Sequence, residues 1–201
     1  MTVSSTVLPI AMALAVIAAP SAQRAASPAP AATSAAGTED LDVKVSLLAP
    51  PPAVGTVIVP LTVHIDRYTP EHARTKMVDA LRVNAYPGFL RALRESPRAG
   101  YFDLNGRKIV VRWARQVPDA SGRTLSFVTD APVYFVGGAL KNAKPTGGYE
   151  VAVMQLRMDK SGKGDGTLAA AARVKPLDVT GVQLDDYAEA PLKITAVARL
   201  P

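Results

Sequence analysis

Four residues that lie close together in the chain carry side chains able to bind a metal ion or to act as acids and bases. His64 and Asp66 are two positions apart in an extended run, which places them on one face of a strand. Glu71 and His72 follow at the start of a helical pattern, and His64 and His72 are the only histidines in the sequence. Imidazole nitrogens and carboxylate oxygens are zinc ligands. One hypothesis is therefore a small metal-dependent enzyme or metal-binding protein centred on these four residues, although their spacing matches no recognised metal-binding motif.

A second group of candidate binding residues consists of arginines. They recur along the helical patterns and just beyond them, at Arg74, Arg82, Arg91, Arg94 and Arg98. A guanidinium group can form two parallel hydrogen bonds with a phosphate or a carboxylate. Charged residues are also usual on the outer face of a surface helix. The pattern is therefore typical both of an anion-binding surface and of an ordinary solvated helix face.

Other chemistry-bearing motifs are missing from the sequence. The chain has no cysteine, which excludes thiol catalysis and thiolate metal sites. The segment 159–166, DKSGKGDG, resembles a calcium-binding loop only in part, because Lys163 stands where an oxygen ligand is required. Neither a Gly-x-Ser-x-Gly elbow nor a Gly-Lys-Ser/Thr phosphate loop is present. We therefore expect a non-catalytic protein without a cofactor, with the metal-dependent protein as the alternative.

The N-terminal part of the sequence is typical of a targeting signal. Residues 7–19 form an uncharged apolar run, shorter than the ~20 residues that a membrane-spanning helix requires. Small residues follow, which predicts a signal peptide over residues 1–22, with cleavage after Ser21 or Ala22. Residues 23–38 are rich in Ala, Pro and Ser and predict a disordered linker. We expect a single folded domain over residues 39–201 that is exported, periplasmic or secreted, with no transmembrane span after cleavage.

The charge balance suggests which partners the domain meets. The chain has 23 Lys and Arg against 17 Asp and Glu, a net charge of +6. For an exported domain, nucleic acid is not the expected partner of a basic surface. An anionic envelope component, such as an acidic polysaccharide or a phospholipid headgroup, is the expected one. A moderate net charge also serves solubility alone.

Alternation of apolar and polar residues predicts about eight strands. The first strand places Leu41, Val43, Val45 and Leu47 on one face. The second spans 55–66 and contains Pro60, which predicts a sheet edge there. Asn105-Gly106 predicts a tight hairpin. Alternation further places Ile109, Val111 and Trp113 on one face of a later strand, and the last strand, 192–200, is expected to form a hairpin with 179–184.

Two short helices are predicted after the second strand. Thr69 suits the N-cap, Pro70 the first helical position and Glu71 the positive end of the helix. Tyr86-Pro87-Gly88 separates the first helix from the second, and Pro97 follows the end of the second.

These elements predict an α+β domain. Its sheet is mostly antiparallel with about eight strands, and the pair of short helices is inserted into it. The alternative is a two-sheet β-sandwich with a helical insertion.

Several segments of the predicted domain resemble a family of small exported bacterial proteins that has no assigned activity, cofactor or partner. The similarity extends from about Pro60 to Leu200, and the segments that carry it are LTVHIDRYTPEHAR, LRALRESPRAGYF, VVRWARQ, FVTDAPVYF, LRMDKSGKGDG and DDYAEAPLKITAV. The resemblance implies an exported domain. It supplies no site residues, because the family has none assigned.

Overall fold

The computed structural model describes residues 38–48, 55–134 and 147–201. The predicted signal peptide (1–22) and all of the predicted linker except Thr38 lie outside the described residues. The described part contains nine strands and one helix, in the order β1 (Glu39–Leu48), β2 (Thr56–Ile65), α1 (Glu71–Glu95), β3 (Gly100–Leu104), β4 (Arg107–Pro118), β5 (Gly122–Thr129), β6 (Val151–Asp159), β7 (Lys163–Pro176), β8 (Val182–Tyr187) and β9 (Leu192–Arg199).

Eight of the nine strands form a closed antiparallel barrel. The order around the ring is β6-β5-β4-β3-β2-β1-β9-β7, and β6 pairs with β7 to complete it. β8 lies outside the ring and pairs with the C-terminal half of β7. This closure contradicts both predicted architectures, the α+β sheet with two inserted helices and the two-sheet sandwich. Closure depends on pairing between strands that are distant in sequence, which local alternation does not show.

The last strand, β9, provides that closure. It pairs with β1 on one side and with the N-terminal half of β7 on the other. The predicted hairpin of β8 with β9 is therefore wrong, because β8 pairs with β7 and no ladder joins β8 to β9 in the described part of the chain. The Asn105-Gly106 hairpin is present, and both residues have the positive φ that its turn requires.

Apolar side chains from all eight ring strands fill the inside of the barrel. Phe102 and Phe127 meet there edge to face, with ring centroids 6.1 Å apart. An eight-stranded barrel encloses a space that side chains alone can fill. The interior is therefore a packed core, which includes Leu41, Val43, Val45, Leu61, Val63, Ile65, Phe102, Leu104, Ile109, Val111, Ala114, Leu125, Phe127, Met154, Leu156, Leu168, Ile194 and Val197.

A β-bulge in β4 reverses which side chains face the interior. The partner of Val111 is Thr129, whereas the partner of Trp113 is Val128, so one residue of β4 is extra. Val111 and Ala114 consequently belong to the interior core, while Trp113 points outward. The prediction that Trp113 shares a face with Val111 is wrong for this reason.

The same irregularity occurs in β9. Val45 of β1 pairs with Ile194, but the preceding Lys44 pairs with Ala196, so Thr195 is the extra residue. Ile194 and Val197 are therefore buried in the core, and Ala196 is exposed. Strict alternation along this strand would place Ala196 on the same face as Ile194, and the bulge prevents it.

Helix α1 packs against the outside of the barrel wall. The structure has one helical element with a kink at Ala85, whose φ of 54° and ψ of −161° are not helical, in place of the two short helices predicted. Its buried side chains form a second apolar cluster with residues of β4 to β8: Met77, Val78, Leu81, Tyr86, Phe89 and Leu93 against Trp113, Val128, Val151, Val153, Ala169, Ala172, Val174 and Val182. No helix of the described ranges has both the length and the hydrophobicity needed to cross a membrane.

The connection into α1 is attached to β4 by Thr69. The Thr69 backbone N–H donates to the Ala114 carbonyl at 2.8 Å, and Thr69 Oγ1 accepts from the Ala114 N–H at 2.9 Å. The N-cap position belongs to Pro70, without a side-chain cap. The prediction that Thr69 is the N-cap is therefore wrong. Thr69 instead satisfies the backbone of β4 directly after the bulge.

Candidate functional site

His64 lies on β2 with a carboxylate at each of its ring nitrogens. Asp40, its direct partner across the β1–β2 ladder, contacts Nδ1 through Oδ1. Asp66 Oδ1 lies 3.2 Å from Nε2. The other oxygen of Asp66 accepts a hydrogen bond from Arg98 Nε at 2.8 Å. The structure therefore brings His64 and Asp66 together, as the metal hypothesis requires, but it adds partners that the hypothesis does not include.

The ring of Tyr101 completes this surface cluster. It stacks on the imidazole of His64 with centroids 4.7 Å apart. Lys108 Nζ lies 4.5 Å from the centre of the same ring, and the guanidinium carbon of Arg98 lies 5.8 Å from it. Both ring nitrogens of His64 therefore contact carboxylates, of Asp40 and Asp66. The geometry is that of a surface network of charges rather than of a metal ligand with a free lone pair.

Glu71 and His72 lie elsewhere, on the exposed first turn of α1. Within residues 38–48, 55–134 and 147–201, no group of three or more His, Cys, Asp or Glu is placed to hold a metal ion. The four residues of the metal hypothesis therefore do not converge: His64 and Asp66 are in contact, and Glu71 and His72 join neither of them in the described structure.

The arginines do not form one surface either. Arg74 is only 2% exposed, because it faces the connection between β7 and β8. It donates to the carbonyls of Thr69 at 2.5 Å and Thr180 at 3.2 Å. Burial lowers its pKa, and the neighbouring charge of Arg115 lowers it further. Arg74 is therefore an internal tie between α1 and the β7–β8 connection, and its assignment to an exposed arginine face is wrong.

The other four arginines lie in separate parts of the structure. Arg82 donates to the backbone carbonyl of Asp178 at 3.0 Å, and Arg98 belongs to the cluster around His64. Arg91 and Arg94 are exposed on α1, and neither forms an ion pair with a described residue. Of the five arginines predicted to bind an anion, only Arg91 and Arg94 are therefore exposed on α1 without an ion pair to a described residue.

A polar site that the sequence reasoning missed lies at one end of the barrel. Two turns, residues 119–122 between β4 and β5 and residues 159–162 between β6 and β7, meet the end of β9 there. They surround an open cleft of about 350 Å³. Three of its lining side chains are cationic. The cleft is lined by Gln116, Pro118, Gly122, Arg123, Asp159, Lys160, Ser161, Gly162 and Arg199.

A buried carboxylate lies behind the first cleft. Glu39 is 8% exposed, and its Oε2 accepts from Arg123 Nη1 at 3.0 Å and from the Tyr68 hydroxyl at 3.2 Å. Arg199 Nε lies 3.5 Å from Glu39 Oε1. Burial raises the pKa of Tyr68, and the charge of Glu39 raises it further. Burial alone would lower the pKa of Arg123, but its hydrogen bond to Glu39 and the nearby charges outweigh burial and raise it.

A second open cleft, of about 550 Å³, adjoins the first and shares Arg123 and Asp159 with it. The two clefts together carry five cationic side chains, from Arg123, Arg157, Lys160, Lys163 and Arg199, and three carboxylates, from Asp119, Asp159 and Asp165. The second cleft is lined by Asp119, Ser121, Arg123, Thr124, Arg157, Met158, Asp159, Lys163, Gly164 and Asp165.

The two turns that border the clefts have the same construction. Asp119 Oδ1 accepts from the hydroxyl and the N–H of Ser121, and Asp159 Oδ1 accepts from the hydroxyl and the N–H of Ser161. These side-chain and backbone hydrogen bonds lower the pKa of both carboxyl groups. Asp159 thus shapes a turn, in which Gly162 has a φ of 80°, rather than a calcium site.

A signal for this end of the barrel was present in the sequence. The segments 119–122, DASG, and 159–162, DKSG, repeat the pattern Asp-x-Ser-Gly, and a cation follows each of them. Asp and Ser in this order favour a turn in which the carboxylate accepts from the backbone two residues on. The pattern indicates two similar turns, but it does not show that they lie side by side.

Comparison with known proteins finds no matching protein-family model, no similar curated protein and no similar solved structure. The resemblance to a family of small exported bacterial proteins therefore stays a prediction.

Proposed function

We propose that this protein is an exported, non-catalytic binding module that binds an anionic component of the cell envelope at the end of its barrel. The observation that carries the proposal is the first cleft, where Lys160 and Arg199 border an open volume of about 350 Å³. Asp159, the carboxylate of its lining, is already hydrogen-bonded within its own turn. Lys160 has no ion pair with a described residue, so its charge is available to a ligand.

Two features support binding without catalysis. The barrel interior is filled with apolar side chains, so a ligand binds at the surface of the described domain. Neither cleft is lined by a histidine among the described residues, and both ring nitrogens of His64 are already directed at carboxylates. The clefts thus offer charge and hydrogen bonds, and the hydroxyl groups of Ser121 and Ser161 are already bonded to the carboxylates of their own turns.

The experiment compares retention of the protein on dextran sulfate with retention on uncharged dextran. We expect retention on the sulfated matrix only, weakening steeply between about 50 and 200 mM salt because exposed charges are then screened. The variant Lys160→Gln/Arg199→Gln should lose about thirtyfold in affinity, since two contacts of roughly 1 kcal/mol each are removed.

The matched control is Lys76→Gln/Arg91→Gln, which removes the same net charge from exposed positions on α1. This control should bind nearly as well as the unaltered protein. If both double variants lose affinity equally, net charge alone explains binding and the cleft is not the site. Equal retention on the two matrices would contradict the proposal altogether.

Export has its own test. N-terminal sequencing of the protein recovered from a periplasmic or extracellular fraction should show a chain that begins at Ala22 or Gln23, which corresponds to cleavage after Ser21 or Ala22. Recovery of uncleaved chain from the cytoplasm alone would overturn this part of the proposal.

A further inference from the structure

The two clefts adjoin each other at the barrel end, and the pair of them is called the groove below. They share Arg123 and Asp159, and the residues next to these in sequence, Gly122 and Met158, line one cleft each. Each volume lies within the roughly 300–1,000 Å³ that is usual for ligand sites. A ligand that extends along the groove therefore contacts both clefts, whereas a compact ion contacts only one.

The cations of the groove that are free to bind lie in both parts. Lys160 lines the first cleft, and Arg157 and Lys163 line the second. None of these three forms an ion pair with a residue of the described ranges. Arg123, between them, is already occupied by Glu39 and Gln116. The groove thus presents positive charge at two separate places, which suits a ligand with more than one anionic group.

The other polar groups of the groove suit a hydroxyl-rich ligand. Gln116, Ser121, Ser161 and Thr124 provide amide and hydroxyl groups along its length. Asp119 and Asp159 use only Oδ1 within their turns, so their Oδ2 atoms, with the carboxylate of Asp165, can accept hydrogen bonds from hydroxyl groups. A ligand made only of closely spaced anions would be repelled by these carboxylates, whereas a sugar chain with spaced acidic groups satisfies both kinds of lining residue.

The groove is less suited to a lipid surface. Domains that bind the bilayer interface generally insert exposed aliphatic or aromatic side chains. None of the large hydrophobic residues exposed in the described structure lines either cleft; these residues are Val57, Ile58, Val83, Leu177, Val179, Tyr187 and Leu200.

We infer that the ligand is an acidic polysaccharide whose chain occupies both clefts at once. This inference rests on the proposed function, and it adds the class of the ligand and the extent of its site. Its first consequence is that affinity depends on chain length.

The experiment measures binding of the protein to galacturonic acid, to oligogalacturonates of increasing length, to neutral dextran oligosaccharides, and to phosphatidylglycerol and phosphatidylcholine vesicles. We expect affinity for the oligogalacturonates to rise at least tenfold over the monomer and to level off once the chain spans both clefts. Monomer and oligomers of equal affinity would overturn the inference while leaving the proposed function intact. Binding to phosphatidylglycerol vesicles alone would also overturn it, in favour of a lipid. If no anionic probe binds, the inference and the proposed function both fail.

Single substitutions test whether the polysaccharide contacts both clefts. Lys160→Gln removes a cation from the first cleft and Lys163→Gln removes one from the second, while Lys76→Gln on α1 is the matched control. Both groove variants should weaken binding of the long oligomer several-fold, and the control should leave it unchanged. If Lys163→Gln behaves as the control does, the chain does not reach the second cleft and the inference is wrong. Unchanged fluorescence of Trp113 in each variant establishes that its fold is retained.

Discussion

Arg123 donates a hydrogen bond of 3.0 Å to the buried carboxylate of Glu39 from the opposite wall of the barrel. Glu39 begins β1 and Arg123 lies on β5, and three strands separate β1 from β5 in each direction around the ring. The pair therefore spans the end of the barrel, where the Tyr68 hydroxyl joins it. It closes the apolar interior at this end and holds Arg123 at the base of the first cleft.

Replacing Glu39 by Gln should destabilise the fold by about 3 kcal/mol, because removal of one partner of a buried pair leaves the other charge uncompensated. Urea denaturation at neutral pH measures this change. Arg199→Gln is the comparison, since the Arg199 side chain is 61% exposed and 3.5 Å from Glu39; it should cost less than about 1 kcal/mol. Equal losses of stability in the two variants would show that the Glu39–Arg123 pair contributes no more to stability than the exposed Arg199 does.

Asp178 should make the stability of the protein depend on pH in the acid range. Burial alone would raise the pKa of Asp178, but the hydrogen bond from the Thr180 N–H and the charge of Arg115 outweigh burial and lower it. The folded state then binds this proton more weakly than the unfolded chain does. The carboxylate therefore stabilises the fold above its unfolded pKa of about 3.9, and this contribution disappears as pH falls through the lower folded value.

Asp178→Asn tests this dependence. The variant should be less stable than the unaltered protein at pH 7, and the difference should shrink as pH falls below about 4. Asp79→Asn is the control, because Asp79 is 58% exposed and lies 3.7 Å from its partner Arg82. If the difference in stability between Asp178→Asn and the unaltered protein stays constant from pH 7 to pH 2, the Asp178 carboxylate is not the source of the pH dependence.

Two substitutions at the kink of α1 should change the stability of the protein in opposite directions. Ala85 has a φ of 54°, which is unfavourable for a residue with a Cβ, so Ala85→Gly should stabilise the protein by roughly 1 kcal/mol. A Cβ added at Gly88 would lie 2.4 Å from Asn84 Cβ and 2.7 Å from the Ala80 carbonyl. Gly88→Ala should therefore lower the melting temperature. A lower melting temperature for Ala85→Gly would contradict this account of the kink.

The only tryptophan of the chain should report on the packing of the helix. Trp113 is 1% exposed and lies outside the barrel, with its ring centroid 6.5 Å from that of Phe89 on α1. Phe89→Ala should cost about 3–5 kcal/mol and shift the native emission of Trp113 to longer wavelength. Phe102→Ala should cost a similar amount, since Phe102 is fully buried in the barrel interior, but leave the native emission nearly unchanged. If only Phe102→Ala shifts the emission, Trp113 faces the interior.

Features that depend on neighbours in the chain could be predicted from the sequence. The alternation of Leu41, Val43 and Val45 places these residues in the core, as the structure confirms. Asn105-Gly106 forms the tight hairpin because both residues tolerate positive φ. The contact between His64 and Asp66 also follows from their spacing in the chain.

Features that depend on distant partners were decided by the tertiary structure. One extra residue in β4 and another in β9 reverse the faces of Trp113 and Ala196, and a bulge of this kind leaves no mark in an alternating pattern. The burial of Arg74 depends likewise on where the β7–β8 connection lies.

By itself, the sequence determined most of the strands, the tight hairpin and the helical segment, because each of these follows from local backbone preference and side-chain alternation. Only the tertiary structure decided that β9 joins β1 to β7 and that the turns 119–122 and 159–162 lie side by side at the barrel end. The physical reason is that a closed barrel must satisfy the backbone hydrogen bonds of every ring strand at once. That requirement selects partners far apart in the chain, and it brings together the charges of the candidate site.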